Sequence, residues 1–418
     1  MNKDRLKEIM LDQKKTFSGH VGLIERDIDL DKYLSSEQVV VITGIRRCGK
    51  SSLLYLIQQR MQLKEEDYCY FNFDDERIIG DVSILEKIDH IHQETYGKEA
   101  ILFLDEIQII NGWEKFVNRL YEQKRKIFVT GSNASLLSSE ISTSLTGRNK
   151  TIELTPFSFN EYCRLKEIPF NLERLSVKEK PILMKAFNGF MEKGGFPLVI
   201  KENDLELLDA YFKDILYRDI IARHHITQVD ELKQIGLYFF ANISKLFSYS
   251  TLQKMTGIKS TSSINEYLFY YSQSFLFYYV RKFDYSLKKQ ILNPRKVYAA
   301  DQGFSTRIGF NFSSNKGRIL ENLIFLELLN RKKDIFYYSG KGECDFIVKQ
   351  GLDVIEVIQV CYILSRENIE REIAGLMEAM TKFKLDNGCL IIYDSEINES
   401  ELPGNIRMTH AWKWLLDK

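Results

Sequence analysis

The chain has 418 residues and a mass of 49.1 kDa, about 2.8 times a typical ~150-residue domain, which argues against one compact domain and predicts two to four. Its 58 basic residues offset 58 acidic ones, so any attraction to nucleic acid, membrane or an acidic substrate has to be local. Six cysteines occur singly without a CxxC pair, the charged start lacks an apolar h-region, and no run of about 18 apolar residues occurs, so a cytoplasmic protein without membrane spans is expected.

In chain order, Gln38 to Thr43 (QVVVIT) is a β-branched run leading at once into a glycine loop and then SSLLYLIQQRM, a pattern that predicts strand, loop and helix. Runs of strand length follow at Tyr68 to Phe73, Ala100 to Leu104 and Lys126 to Thr130, separated by enough chain for crossover helices. A parallel α/β sheet is the economical reading. From about Phe157 to His225 the pattern is helical, broken at GGFP (Gly194 to Pro197), and predicts a helical subdomain. Asp230 to Phe310 reads as helices ending in a hairpin, SFLFYYVRKF, SLKKQILNPRK, then VYAAD; it carries 11 basic and 5 acidic residues, a net of +6, with +5 in Arg281 to Lys296 alone. From Gly317 onward 13 basic residues face 17 acidic ones, and the pattern of helix, strands and helix predicts a separate α/β domain. The expected divisions are 1–155, 156–229, 230–310 and 311–418.

The chemistry starts at Gly44-Ile45-Arg46-Arg47-Cys48-Gly49-Lys50-Ser51, which fits GxxxxGK[ST] between a predicted strand and a predicted helix. In such a loop backbone N–H groups surround phosphate oxygens, Lys50 neutralises the β- and γ-phosphates, and Ser51, followed by Ser52, offers its hydroxyl to Mg²⁺. Arg46 and Arg47 face solvent or serve a phosphate or subunit boundary, and Cys48 packs. The apolar run Ala100 to Leu104 ends in Asp105-Glu106, a carboxylate pair at a strand's C-terminal edge: Asp105 is the expected metal ligand and Glu106 the group that polarises the attacking water. Ser132 or Asn133, after the Lys126 to Thr130 strand, is placed to orient water, unless Asn133 only caps the next helix. Arg148 is a candidate for stabilising transition-state charge, in cis or from a neighbouring subunit, or else a surface arginine. His90, His92, His224 and His225 lack metal-ligand spacing and read as ordinary polar residues.

GIRRCGKSS, YFNFDDERI, LFLDEIQ with GWEKFVNRLYE, VTGSNASLLSSEISTSLTGR, PFSFNEY, GGFP, ILYRDII, KKQILNPRK and a following ExDF element occur in an order and at spacings that cover nearly the whole chain. On these motifs it resembles the prokaryotic AAA+ family ATPases that carry a C-terminal domain of unknown function. The resemblance implies an additional-strand P-loop NTPase core with strand order 5-1-4-3-2, a helical lid, a winged helix and a C-terminal domain like the PD-(D/E)xK nucleases. It also implies that the strand before Asn133 lies between the phosphate-loop strand and the Asp105-Glu106 strand, favouring Asn133 as sensor and Arg148 as arginine finger or sensor.

The middle region resembles a winged helix, with Thr261 to Tyr271 as candidate recognition helix and Arg281 to Lys296 as wing, so Lys288, Lys289, Arg295 and Lys296 are the expected contacts to double-stranded DNA. Its aromatics, Tyr267, Phe269, Tyr270 and Tyr271, read as core or domain interface in preference to base stacking. In the C-terminal region Glu321 and Asp345 match the nuclease pattern, but Gln359 and Cys361 stand where that pattern has Glu-x-Lys, and no register of the strand supplies a lysine. The expected function is a Mg²⁺-dependent ATPase, with ATP as cofactor, that couples nucleotide state to a partner, DNA among them, and that forms homo-oligomers without cutting nucleic acid. The alternatives are a slow or non-catalytic nucleotide switch and an ATP-powered nuclease.

Overall fold

The computed structural model describes residues 2–134, 145, 147–309 and 316–417; the stretch 135–144 of the SLLSSEISTS motif segment lies outside them. Two compact units result, one of residues 1–155 with 273–275, the other of residues 156–272 with 276–418.

The first unit is built on a five-stranded parallel sheet. Strands β1 (Val39–Thr43), β2 (Tyr68–Asn72), β3 (Ile101–Asp105), β4 (Ile127–Gly131) and β5 (Asn149–Glu153) lie in the order β2-β3-β4-β1-β5, so β4 does sit between the loop strand and the carboxylate strand. Strands β1 and β4 are buried throughout and β3 almost so, which is why they read as continuous apolar runs and not as alternations. The run pattern did not mark β5: its sequence, NKTIE, buries one residue, Ile152, because it is an edge strand. Helix α1 (Lys3–Ser18) starts on the Asn2 side chain, which accepts from the Arg5 N–H, and packs Leu6, Ile9, Met10 and Phe17 against the opposite edge. There the Gln13 amide stands in for a missing strand, accepting from Asn72 N at 2.9 Å and donating to Asn72 O at 3.0 Å. Helices α2 (Lys50–Arg60), α3 (Ser83–Tyr96) and α4 (Trp113–Glu122) fill the crossovers, and Trp113, Phe116, Leu85 and Ile88 share the core cluster with strands β2 to β4.

The second unit begins with helices α5 (Phe159–Leu165), α6 (Glu179–Lys193), α7 (Pro197–Glu202) and α8 (Glu206–Asp214), the last continuing as a π-helical turn over Ile215–Ile221. Helices α9 (Val229–Ala241), α10 (Tyr249–Thr256) and α11 (Thr261–Gln273) then accompany a small sheet of β6 (Leu246–Phe247), β7 (Phe277–Arg281) and β8 (Arg295–Ala299) in the antiparallel order β6-β8-β7. A short helix, α12 (Leu287–Leu292), occupies the middle of the expected wing. After α13 (Gln302–Ile308) and α14 (Lys316–Asn330) comes a second five-stranded sheet, β13-β12-β11-β10-β9, of β9 (Asp334–Ser339), β10 (Glu343–Gln350), β11 (Asp353–Leu364), β12 (Gly388–Ser395) and β13 (Ile406–His410). It is antiparallel from β9 to β11 and parallel from β11 to β13, with α15 (Ile369–Phe383) as crossover and α16 (Ala411–Leu416) closing the chain. The expected segments 156–229, 230–310 and 311–418 all contribute to this unit.

Candidate functional site

β1 delivers the chain to Gly44 with φ +147°, where a Cβ would lie 2.0 Å from the Leu154 carbonyl oxygen, so no larger residue fits. Gly49, at φ +104°, turns the loop into α2, whose N-terminal N–H groups and dipole favour an anion. Between them Ile45 and Cys48 are buried and Arg47 is exposed at φ +71°, while burial pushes the Cys48 thiol up. Arg46 is half-buried, 3.3 Å from Asp74 Oδ2. Lys50, the first residue of α2, is buried; its Nζ donates to the Gly44 and Ile45 carbonyls at 3.3 and 3.4 Å and lies 3.5 Å from Glu106 Oε1.

Asp105 ends β3 fully buried, with the Tyr70 hydroxyl donating to Oδ2 at 2.9 Å, the Thr130 hydroxyl donating to Oδ1, and the Ser51 hydroxyl also bonded to it. Burial and then the Glu106 charge push its carboxyl up, against the pull of those hydroxyls. Glu106 adopts φ +53°, its N–H donates to Thr130 Oγ1 at 2.9 Å, and Gln108 Nε2 donates to its Oε2 at 2.6 Å. Burial would raise this carboxyl too, but Lys50, Gln108 and Arg46 more than offset it and hold it below its ordinary value. The outcome is two adjacent carboxylates with opposite shifts, one enclosed by hydroxyls and the other facing the loop lysine.

Lys50, Ser51, Asp105 and Glu106 are thus brought together at the C-terminal ends of β1 and β3, on either side of β4. Asn133, buried just after β4, accepts from the Thr43 hydroxyl on its carbonyl at 3.4 Å, next to the start of the loop. Arg148 is not brought there. Asn149 pairs in parallel with Val39, so Arg148 stands before the strands begin while the loop follows their ends; its guanidinium is held by Asn118 and by Glu122 Oε1 at 2.8 Å on α4.

Sequence reasoning missed Tyr70, Thr130, Gln108 and Arg26. Thr130 had a signal, a polar residue closing the apolar run IFV; Tyr70 and Gln108 had none, since only pairing of β2 with β3 and the turn at Glu106 aim them. Arg26 donates to the Cys48 carbonyl at 3.1 Å and the Thr155 carbonyl at 2.8 Å, tying the loop to the end of β5 from the N-terminal arm.

In the second unit Lys288 and Lys289 are exposed and Arg295 half-buried, but Lys296 is not available to DNA. It is 2% exposed, with its Nζ 3.0 Å from Glu321 Oε1, 2.9 Å from Asp345 Oδ1 and 2.7 Å from Glu343 Oε1. The reason is that β8 is buried on both faces from residue 296 to residue 299, with Lys296 on the same face as Tyr298. A lysine therefore does reach the Glu321 and Asp345 pair, from β8 and not from the strand carrying Gln359 and Cys361, which are themselves buried. Tyr267 and Tyr271 of α11 are core, whereas Phe269 is exposed and Tyr270 stacks on His224 at 3.9 Å. His92 faces the Glu66 carbonyl at 3.2 Å. All six cysteines are free and buried, and no helix among the described residues is long and apolar enough to cross a membrane.

Comparison with known proteins agrees with the first unit's geometry. The family model of the AAA domain matches residues 36–163, and that of a domain of unknown function (DUF8612) matches residues 184–314, so neither reaches Glu321 or Asp345. AMPPCP-bound DnaA from Aquifex aeolicus aligns with 64% of this chain and 87% of its own at 16% identity, but the TM-score of 0.25 is too low to bear on this molecule. An uncharacterized protein of Haemophilus influenzae is 27% identical over 402 residues, 93% of this chain and 96% of that one. Uncharacterized protein MJ1544 of Methanocaldococcus jannaschii is 37% identical over 433 residues, 98% of this chain and 94% of its own. With that identity over nearly its full length, and a P-loop AAA domain at residues 36–163, the chain belongs to the family of MJ1544.

Proposed function

We propose that the first unit binds ATP with Mg²⁺ and hydrolyses it, coupling nucleotide state to a partner, double-stranded DNA in the first instance. The observation that carries the reading is the convergence of Lys50, Ser51, Asp105 and Glu106 behind a loop whose two glycines take conformations that other residues resist. Residues 44–49 and Lys50 would hold the phosphates, with Ser51 and Asp105 supplying hard oxygen ligands to Mg²⁺. When bound, the ion would neutralise charge that develops on the phosphates. Glu106, held ionised beside Lys50, accepts a proton from water, and Gln108 and the Thr130 hydroxyl fix its orientation. Asn133 is the candidate for positioning that water. Arg148, at the opposite end of the strands from its own loop, suits a role toward a neighbouring copy and not its own site.

A partner role for the second unit rests on helices α9 to α11 and the three strands β6 to β8 over residues 229–299, which have the order of elements of a winged helix, with exposed Lys288 and Lys289 on α12 between β7 and β8. A slow nucleotide switch is the second reading, favoured by the Lys50–Glu106 pair at 3.5 Å, which nucleotide has to compete with. Calorimetry and turnover on two variants separate these. Lys50→Ala should lose nucleotide binding, and unchanged affinity would remove the site. Glu106→Gln should bind ATP and lose roughly 10²-fold or more in turnover; wild-type turnover that is already negligible, with or without duplex DNA, would select the switch.

A further inference from the structure

Around Lys296 the second unit builds a largely buried polar centre. The ammonium has three N–H donors, and three carboxylate oxygens, from Glu321 of α14 and from Glu343 and Asp345 of β10, stand at 3.0, 2.7 and 2.9 Å. Lys296 donates hydrogen bonds to Glu321 Oε1 and Asp345 Oδ1, and Glu343 is an ion-pair partner. The carboxylates have further partners of their own: Tyr298 donates its hydroxyl to Glu321 Oε1 at 2.7 Å, and Val360 N donates to Asp345 Oδ2 at 3.0 Å. Gln359, where a further carboxylate was expected, turns its oxygen to Asp345 N at 3.2 Å and its amide to Glu372 Oε2 at 2.9 Å. Lys296, Glu321, Asp345 and Gln359 are buried, while the Glu343 side chain is 48% exposed at the rim.

We propose that Lys296 is the resident cation of a carboxylate site: its ammonium occupies the place of a divalent ion, keeps such an ion out, and fastens the β6-β8-β7 sheet to the β9–β13 sheet. With Lys296 in place its Nζ donates to Glu321 Oε1 and Asp345 Oδ1, and among the described residues no group of three His, Cys, Asp or Glu side chains is arranged to hold a metal ion. The same two sheets are joined nearby by Phe283 N donating to the Tyr337 carbonyl at 2.7 Å and by the Tyr337 hydroxyl donating to the Pro294 carbonyl at 2.6 Å. Metal-dependent attack on a phosphodiester would need those carboxylate oxygens open to the ion, and Lys296 holds them. A competing possibility uses the same atoms: Lys296 as the ammonium of a hydrolytic centre that admits metal beside it.

The test titrates Mn²⁺ into the full-length chain without nucleotide and follows the free ion by electron paramagnetic resonance. Wild type and Asp345→Asn should take up Mn²⁺ alike. Lys296→Met, which keeps the stem and removes the charge, should gain one site at least tenfold tighter than any in wild type, and Lys296→Met with Asp345→Asn should lose it. Uptake by wild type that Asp345→Asn abolishes would overturn the proposal in favour of an open metal centre, as would a folded Lys296→Met with no gained site. If Lys296→Met does not fold without metal, refolding with Mn²⁺ decides: recovery that Asp345→Asn cancels supports the resident cation, and failure to recover refutes it.

Discussion

At the scale of single residues, Asp301 shows how a buried charge makes stability depend on pH. It is 1% exposed, ends the VYAAD segment, and accepts from Gly195 N at 2.5 Å and Gly303 N at 2.8 Å, so it joins the GGFP break to the start of α13. Gly194 has to be glycine here, since a Cβ would lie 1.8 Å from Asp301 Oδ1. Burial pushes the carboxyl up from 3.8 to about 7 against the pull of the two N–H groups. A raised acid binds more protons folded than unfolded, so its contribution is complete below the unfolded value and is lost as pH rises to about 7. Denaturant unfolding at a series of pH values should show stability falling through that window, by at most about 1.4 kcal/mol per pH unit from this group. Asp301→Asn, which cannot ionise, should lack this part of the slope; a variant that keeps the full slope would assign the titration to another group.

At the scale of elements, the phosphate loop depends on the strand beside it. Leu154 N donates to the Thr43 carbonyl at 2.7 Å, and this end of β5 brings the Leu154 carbonyl against Gly44. Gly44→Ala would drive a Cβ into that backbone oxygen, with a strain cost of order 1–3 kcal/mol before any shift of β5. Gly49→Ala meets only Arg26 Nη1, at 3.7 Å, and carries the conformational strain alone. Nucleotide affinity by calorimetry should therefore fall much further in Gly44→Ala than in Gly49→Ala, and equal losses would mean that the β5 contact does not shape the loop. The opposite edge is defined with equal care, because Gln13 pairs with the backbone of Asn72 and Phe17 stacks on Tyr70 at 4.0 Å, the tyrosine whose hydroxyl reaches Asp105.

At the scale of the whole molecule, the basic segment from Arg281 to Lys296 divides into two chemistries. Lys288 and Lys289 are solvated, so Lys288→Ala with Lys289→Ala should leave the unfolding midpoint unchanged while reducing duplex DNA affinity and lowering the salt slope by about 2. Lys296→Ala should instead destabilise by roughly 3–5 kcal/mol, because it leaves buried carboxylates without their counterion. Equal stability of the two variants, or DNA binding untouched by the first, would undo this division.

The sequence by itself determined strands β1 to β4, the phosphate loop with Lys50 and Ser51, and the Asp105-Glu106 pair. Each of these is a local pattern: buried parallel strands are continuous apolar runs, and the loop and the carboxylates follow strands within a few residues. It did not mark β5, because an edge strand that buries only Ile152 has no apolar run, and it placed Lys296 in solvent, because a basic stretch looks alike on either face of a hairpin. Only the tertiary structure decided that Tyr70 and Thr130 enclose Asp105, that Arg148 stands at the opposite end of the strands from its own loop, and that Lys296 meets Glu321 and Asp345. The physical reason is common to all three. Strand period and turn conformation are set by neighbours in the chain, whereas which side chains meet across elements depends on pairing register and burial, fixed when the whole core closes.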